Sequence, residues 1–561
     1  MPISNFKSPI SNPFMRRSPR NAFPTAPSPD WWVSLTAQTL QVSAPTNCRP
    51  VVAGDVWLAN RAALRQQLGA SAHTDLEIVA ALWQQHGEQC LPLLQGMFAF
   101  VVWDETQPSL LLVRDRVGAR TLYYSTSGAT RWIAPRLRTL EAKLSPTIDP
   151  VALRDYLCCA FVPGERTMWS GIREVPPGAI VRLPSNEVTP YWHIEERITD
   201  GDQSLEWHAE RLRALLNEVI AESLPSGEAV GCYLSGGLDS SLVAALAKQL
   251  HPQPVHTYSI HFGSATPNEL EFSSLVAAHC QTEHHVIEIT PEQMWEQHAE
   301  AMALLDDPIG DPLTVPNLIL GRAAKQSVNV ILNGEGGDPC FGGPKNQPML
   351  LTNLYQSADP TTAPDLVAAY LASYQKCATD LPRLLKPEVW SAVKNEPSVF
   401  EPELFGAGSY LNRLMFINTR FKGADHILTK VSNLTRACGL EGRSPLFDQR
   451  VVERSLTIPP EYKLRGATEK AVLKAAVQDL LPDTILQRPK SGMMVPVQYW
   501  FRRLWPKQAR ALLLHRKARV REFLHPTVIE DWLNYRGDTW SRYGVKLWLL
   551  VSLEWWLQTH D

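Results

Sequence analysis

A parallel α/β sheet in the second half of the chain, preceded by a smaller α+β unit, is the architecture that the sequence predicts. Three observations carry it. The apolar run 230–234 stops abruptly at Gly236 and Gly237, and the helical pattern Leu242-Val243-Ala244-Ala245-Leu246-Ala247-Lys248 follows. Buried-strand candidates at 231–234, 255–261, 285–289 and 328–332 each lead into a turn or helix, the alternation of a parallel sheet with its ligand site at the strand C-terminal ends. Residues 31–195 instead mix short strands with helices, the pattern of an α+β unit.

Within that first unit, strands are predicted at 110–113, 121–124 and 179–183 and helices at 61–68, 76–85 and 150–159. Cys158 and Cys159 read as an apolar pair in the last of these. The polar stretch 195–204 reads as a linker, so that the second unit runs over 205–561 and is largely helical beyond about 350. Residues 1–30 are rich in Pro, Ser and Asn, carry Arg16, Arg17 and Arg20 and lack an apolar core, which predicts a disordered lead-in rather than a signal peptide. No internal repeat is visible.

The 561 residues have room for more than one domain. Lys plus Arg (54) nearly balances Asp plus Glu (57), so no global field points to nucleic acid or a membrane. Nine cysteines form no C-x-x-C pair and no metal spacing, the usage of reduced thiols in a cytoplasmic protein. The apolar segment 545–557 is interrupted by Lys546, Ser552 and Glu554 and is too short to span a bilayer, so it predicts a buried closing helix. His284 and His285 are neighbours on a predicted strand and point to opposite faces, which argues against one shared metal ion.

The chemistry concentrates in Tyr233-Leu234-Ser235-Gly236-Gly237-Leu238-Asp239-Ser240-Ser241-Leu242. A strand, tight turn and helix start points free backbone N–H groups at an anion. Gly236 and Gly237 admit a phosphate close to the backbone, Ser235, Ser240 and Ser241 add hydroxyl donors, and Asp239 can hold a divalent cation against the phosphates. No G-K-[ST] follows the glycines, so this is not a Walker A loop. The full S-G-G-x-D-S-S resembles the PP-loop of ATP pyrophosphatases, which cleave ATP to AMP and pyrophosphate.

Further motifs extend the resemblance to the asparagine synthetase superfamily. Asn333-Gly334-Glu335-Gly336-Gly337-Asp338 is similar to its S-G-E-G-x-D loop, and Gly439-Leu440-Glu441-Gly442-Arg443-Ser444-Pro445-Leu446-Phe447-Asp448 to its G-L-E-x-R-x-P-F-L-D segment. Tyr462-Lys463-Leu464-Arg465 with Lys470, and Leu481-Pro482 with Arg488-Pro489-Lys490-Ser491-Gly492, follow in family order. In the first half, Gly96-Met97-Phe98-Ala99-Phe100-Val101-Val102-Trp103-Asp104 and Arg114-Asp115-Arg116-Val117-Gly118 resemble the family's glutamine amidotransferase domain. The resemblance implies a PP-loop synthetase domain with a helical C-terminal part, plus a truncated N-terminal Ntn-hydrolase-like domain at 31–195.

It also implies roles. Ser235, Gly236, Gly237, Asp239, Ser240, Ser241 and Gly334 would hold the pyrophosphate of ATP, with Asp239 and Asp338 as Mg²⁺ ligands. Glu335 is the candidate base and Lys490 the candidate stabiliser of developing charge. Lys470 contacts phosphate or lies on a helix face, and Asp306 and Asp307 line the nucleotide pocket or end a helix. The strand end near 255–259 falls where this fold binds adenine. ATP and Mg²⁺ are the implied cofactors, and no oligomeric state follows.

Departures from the family pattern narrow the function. Active glutaminase domains begin with a nucleophilic cysteine after the initiator methionine, whereas here Met1 precedes Pro2 and the first cysteine is Cys48. The N-G-E-x-Y-N segment survives only as Ala53-Gly54-Asp55-Val56-Trp57-Leu58-Ala59-Asn60, and Asp75 stands where an amine-binding acid is expected. The expectation is a domain that cannot hydrolyse glutamine. D-E-x-F-x-G-Y becomes Asp338-Pro339-Cys340-Phe341-Gly342-Gly343-Pro344, and K-x-D-R-x-S-M-A becomes Lys430-Val431-Ser432-Asn433-Leu434-Thr435-Arg436-Ala437, both beside the implied acyl pocket. The implied reaction is adenylation of a carboxylate, releasing pyrophosphate, then attack by an amine within the substrate, a precursor peptide or a small molecule, as in lasso-peptide macrolactam and β-lactam synthetases. Ammonia-dependent asparagine synthesis and a nucleotide-binding scaffold without turnover are the competing readings.

Overall fold

The computed structural model describes residues 31–36, 39–44, 48–69, 72, 74–104, 109–264, 266–343, 365–488, 493–536 and 542–560. The lead-in 1–30, Pro344 and the segment Pro489-Lys490-Ser491-Gly492 lie outside these residues.

Among the described residues the first unit holds ten strands, β1 (Trp32–Leu35), β2 (Leu40–Ser43), β3 (Val51–Leu58), β4 (Gly96–Asp104), β5 (Ser109–Arg114), β6 (Tyr123–Ser125), β7 (Arg131–Ala134), β8 (Ile172–Glu174), β9 (Ala179–Leu183) and β10 (Glu187–Pro190). They form two five-stranded sheets, ordered β2-β1-β7-β6-β8 and β10-β9-β5-β4-β3. Strand β4 explains why they stack. Phe98, Phe100 and Val102 face one core with the helix Asp75–His86, while Ala99 and Val101 face a second core shared with Val33 and Ile133 of the other sheet. The period-two alternation of apolar residues on both faces makes a strand buried on both sides. The outer face of the sheet β2-β1-β7-β6-β8 meets the helices Leu137–Leu144 and Pro150–Cys159, completing a four-layer α+β sandwich. Cys158 and Cys159 end that second helix, both buried.

The second unit is built on β11 (Val230–Tyr233), β12 (Val255–His261), β13 (Glu283–Glu288), β14 (Val330–Leu332) and β15 (Glu441–Arg443), all parallel in the order β13-β12-β11-β14-β15. Val230, Val255, Val330 and Leu332 face a core with the helices Leu205–Ser223 and Leu238–Leu250. Tyr258, Ile260 and Ile331 face the opposite core with Thr314–Ala324 and Thr429–Ala437. One predicted strand differs in character: 285–289 was read as buried, whereas β13 spans Glu283–Glu288 at the sheet edge with Val286 45% exposed. Its alternating polar residues suit one solvated side. His284 bonds Thr257 and His285 bonds His256, on opposite faces.

The segment 545–557 lies in the helix Tyr543–Thr559, buried along nearly its whole length with Trp548 and Trp556 at the centre. Among the described residues no helix is long and apolar enough to cross a membrane. This helix ties the two units together, because Tyr156 Oη of the first unit donates to its Leu549 carbonyl at 2.9 Å.

Asp306 and Asp307 correct a sequence expectation. Neither lies on the wall of the cavity described below. Asp306 accepts from Arg136 Nε at 2.9 Å and from the Leu137 amide, and Asp307 accepts from the Met168 amide at 2.7 Å. They pin the first unit to the second. Burial, aided by the neighbouring carboxylates Glu174, Asp306 and Glu141, pushes Asp307 well above the usual carboxylate range. Replacing fully buried Asp306 by Ala removes the carboxylate shared by Arg136 Nε and the Leu137 amide, leaving the guanidinium held through the Leu304 carbonyl at 2.8 Å. The expected cost is roughly 3 kcal/mol, read as a lowered urea midpoint of the whole chain.

Candidate active site

Strand β11 is central, and its neighbours β12 and β14 run parallel to it, so three strand C-termini open into one place. A cavity of about 340 Å³ lies there, within the range of small-molecule sites. Ser235, Gly237, Asp239 and Ser240 after β11, Ser259 in β12, and Asn333, Gly334, Glu335 and Asp338 after β14 all line it.

The turn after β11 is held by its own hydroxyls. Ser235 Oγ and Ser240 Oγ lie 3.0 Å apart, the Gly237 amide donates to Ser235 Oγ at 3.3 Å, and Gly237 caps the helix Leu238–Leu250. The first-turn amides of that helix are free of intrahelical partners, the property on which the expected anion site rests. Gly236 adopts a positive φ of 76° and is not on the cavity wall. A Cβ there would stand 2.5 Å from the Ser273 amide nitrogen, so the residue serves close backbone packing. Ser241 also sits off the wall, fully buried.

The β14 loop presses onto this turn. A Cβ on Gly334 would lie 2.5 Å from the Ser240 nitrogen, which brings the two predicted loops into direct contact. Asn333 donates to Ser444 Oγ at 2.9 Å and receives the Glu335 amide at 3.0 Å, presenting Glu335 to the cavity. Lys470 is buried, with Nζ 2.5 Å from Asp239 Oδ2 and 2.5 Å from Asp338 Oδ1. The two candidate metal ligands therefore converge on one point. Two carboxylates with room for phosphate oxygens is the donor set Mg²⁺ uses in nucleotide sites, so these residues fit that ion. Lys490 lies outside the described residues. Its neighbour Arg488 pairs with Glu269, donates to the Gly236 carbonyl at 3.2 Å and stacks over Phe272.

The far wall was only partly foreseen. In the segment 430–437, Val431, Leu434 and Thr435 line the cavity, whereas the substituted Ser432 and Asn433 are buried away from it. Asn317 and Leu320 contribute from Thr314–Ala324, and Asn418 and Lys422 from Asn418–Leu428, which winds as a π-helix. Such wide turns are rare and gather at functional sites. Asn418 and Lys422 belong to no recognised motif, and no sequence rule marks π-helical winding, so only the fold reveals them.

In the first unit, the residues that resemble the family's glutamine site have the following partners. Asp55 bonds Arg436 and lies 3.4 Å from Arg120. Burial works upward on its carboxyl, but the two guanidinium charges outweigh this and hold it below the usual range. Trp57 stacks on Arg443, with 4.6 Å from guanidinium carbon to ring centre. Asp75 accepts from the Leu58 amide at 2.8 Å and from Arg61 at 2.9 Å. Burial, with Glu77 nearby, pushes the Cys48 thiol up, and burial pushes Cys90 up to about 12.

Comparison with known proteins agrees with this geometry. The asparagine synthase family model matches residues 211–558 and a glutamine amidotransferase domain model matches 35–192. The chain belongs to the asparagine synthase family. It is 26% identical over 542 residues to asparagine synthetase [glutamine-hydrolyzing] 1 of Bacillus subtilis (strain 168), covering 89% of this chain and 85% of that protein. It is also 26% identical over 510 residues to a putative asparagine synthetase [glutamine-hydrolyzing] of Mycobacterium tuberculosis (strain ATCC 25618 / H37Rv), covering 82% of this chain and 76% of that protein. Among solved structures, the NH3-dependent NAD synthetase of Campylobacter jejuni covers 33% of this chain at 15% identity and a TM-score of 0.21, too low to bear on the assignment. The family makes this chain an ATP-dependent amidating ligase.

Lys463, beside the cavity loop, gives a pH-dependent prediction. It is fully buried, donates to Asn412 Oδ1 at 2.7 Å, and burial lowers its pKa to about 7. The unfolded chain then holds a proton that the folded chain lacks between pH about 7 and the free-lysine value of about 10.4. This group's contribution to stability rises with pH across that window and is lost as pH falls towards the lower limit. Melting temperatures of wild type and Lys463→Met, measured from pH 6 to roughly 10, should diverge in favour of wild type as pH rises.

Proposed function

We propose that this chain forms an amide bond without hydrolysing glutamine, adenylating a substrate carboxylate for attack by an amine carried on the same substrate. The product is a lactam or macrolactam. One observation carries the reading: the residues that stand in for the glutamine-binding segment are engaged in interdomain and local contacts, Asp55 with Arg436 and Arg120, Trp57 with Arg443. The cysteines of the first unit lend support. Burial raises the pKa values of Cys48, Cys90, Cys158 and Cys159, the opposite of an activated thiolate. Leu320, Ile427, Val431, Leu434 and Met493 on the cavity wall suit a substrate larger and less polar than free aspartate.

In the first step a carboxylate oxygen attacks the α-phosphorus of ATP and pyrophosphate leaves. Ser235, Ser240 and the amides around Gly237 bind and orient the leaving pyrophosphate, with Gly334 allowing the loops to close on it. Asp239 and Asp338 would hold Mg²⁺, which supplies charge neutralisation at the phosphates when bound. In the second step the amine nitrogen attacks the acyl carbon, AMP leaves, and Glu335 takes the proton from nitrogen. Lys490 and Lys470 act as point charges towards phosphate.

The test is release of AMP and pyrophosphate by purified protein with Mg²⁺ and ATP. Aspartate with ammonium, aspartate with glutamine, and peptides bearing an internal amine and carboxylate are supplied in separate reactions. Turnover and loss of one water mass from a peptide are expected, with no asparagine from glutamine. Asparagine made from glutamine overturns the reading of the first unit, and asparagine made only from ammonium overturns the internal amine. Asp239→Asn should lower pyrophosphate release by about a hundredfold or more.

A further inference from the structure

The position between Asp239 and Asp338 is filled by the protein's own cation. Lys470 Nζ stands 2.5 Å from an oxygen of each, and the three side chains grade from 3% exposed at Lys470 through 9% at Asp239 to 25% at Asp338. The arrangement is held from several sides. A Cβ on Gly337 would come within 2.2 Å of Asp239 Oδ1, and one on Gly343 within 2.5 Å of Asp338 Oδ1, so backbone packs directly against both carboxylates. Lys470 itself has a positive φ of 54°, just before the helix Ala471–Ala476. A non-glycine residue keeps that conformation only where its surroundings over-determine it. A lysine on a plain helix face would need none of this.

We propose that Lys470 is an internal counter-cation that keeps free Mg²⁺ off Asp239 and Asp338 until nucleotide arrives. The divalent ion then enters as part of the nucleotide complex, and the ammonium turns from the carboxylates to phosphate oxygens on the cavity wall. The order of loading follows from charge: one ammonium already offsets part of the pair's negative charge, and a second cation at the same point meets its repulsion unless triphosphate supplies new negative charge. This rests on the proposed reading of Asp239 and Asp338 as metal ligands. It adds that Lys470 sets when they become available.

The experiment titrates nucleotide-free, full-length protein with Mn²⁺ and follows the free ion by electron paramagnetic resonance. Lys470→Met should bind one equivalent roughly tenfold to a thousandfold more tightly than wild type, the range over which one adjacent opposite charge shifts a carboxylate's cation equilibrium. Lys470→Gln, also neutral, should gain similarly and serves if the methionine variant does not fold. Lys470→Arg keeps the charge and should bind no better than wild type. Adding Asp239→Asn to either neutral variant should abolish the gain. Wild type binding Mn²⁺ as tightly as the neutral variants overturns the proposal, as does a gain that survives Asp239→Asn. None of these readings needs turnover, so a failure to find a substrate leaves the result intact.

Discussion

Strands β11 and β14 pair in parallel, with Cys232 opposite Leu332, so the loops that follow them start about 4.8 Å apart. At that spacing two loops can touch only if one of them gives up its side chains, and Gly334 against Ser240 is where this happens. The contact brings Asp239 from one loop and Asp338 from the other to the same ammonium. A side chain at Gly334 would hold the loops apart and separate the two carboxylates. The glycine turn after β11, the candidate metal ligands and the candidate base thus depend on one glycine-mediated approach between adjacent strands.

The first unit acts on this centre from a distance. Asp55 reaches from β3 to Arg436, which follows directly after cavity-lining Leu434 and Thr435 in the helix Thr429–Ala437. Lys430 in the same helix is fixed from the other side by Asp311 at 2.6 Å. Burial works upward on the Asp311 carboxyl, yet Lys430 and His426 hold it well below the usual range. A helix clamped by charge at both ends presents Val431, Leu434 and Thr435 in one orientation. The strand that resembles a glutamine-binding segment serves here as part of the frame around the synthetase cavity.

Much of the fold was legible because its signals are local. The glycine stop after β11, the apolar runs of β5 and β9, and the helical patterns at 61–68 and 150–159 all act within a few residues. The edge character of β13 was not legible, since a short strand with mixed polarity reads alike at an edge or under a loop. The pocket reading of Asp306 and Asp307 failed for a related reason, while the helix-end reading fits their place just after the helix His298–Leu304. An acidic pair before proline fits a ligand turn as well as an interdomain pin, and the partners Arg136 and Met168 are more than a hundred residues away.

The sequence by itself determined the glycine turn after β11, the order of the motifs and the division into an α+β and an α/β unit, because each is written in contiguous residues. The tertiary structure decided which of those residues meet. It set Lys470 between Asp239 and Asp338, turned Ser241 and Gly236 away from the cavity, and recruited Asn418 and Lys422 through a π-helical stretch with no sequence mark. These outcomes depend on strand register and on backbone approach to within one missing Cβ, and both are properties of packed elements rather than of any segment alone.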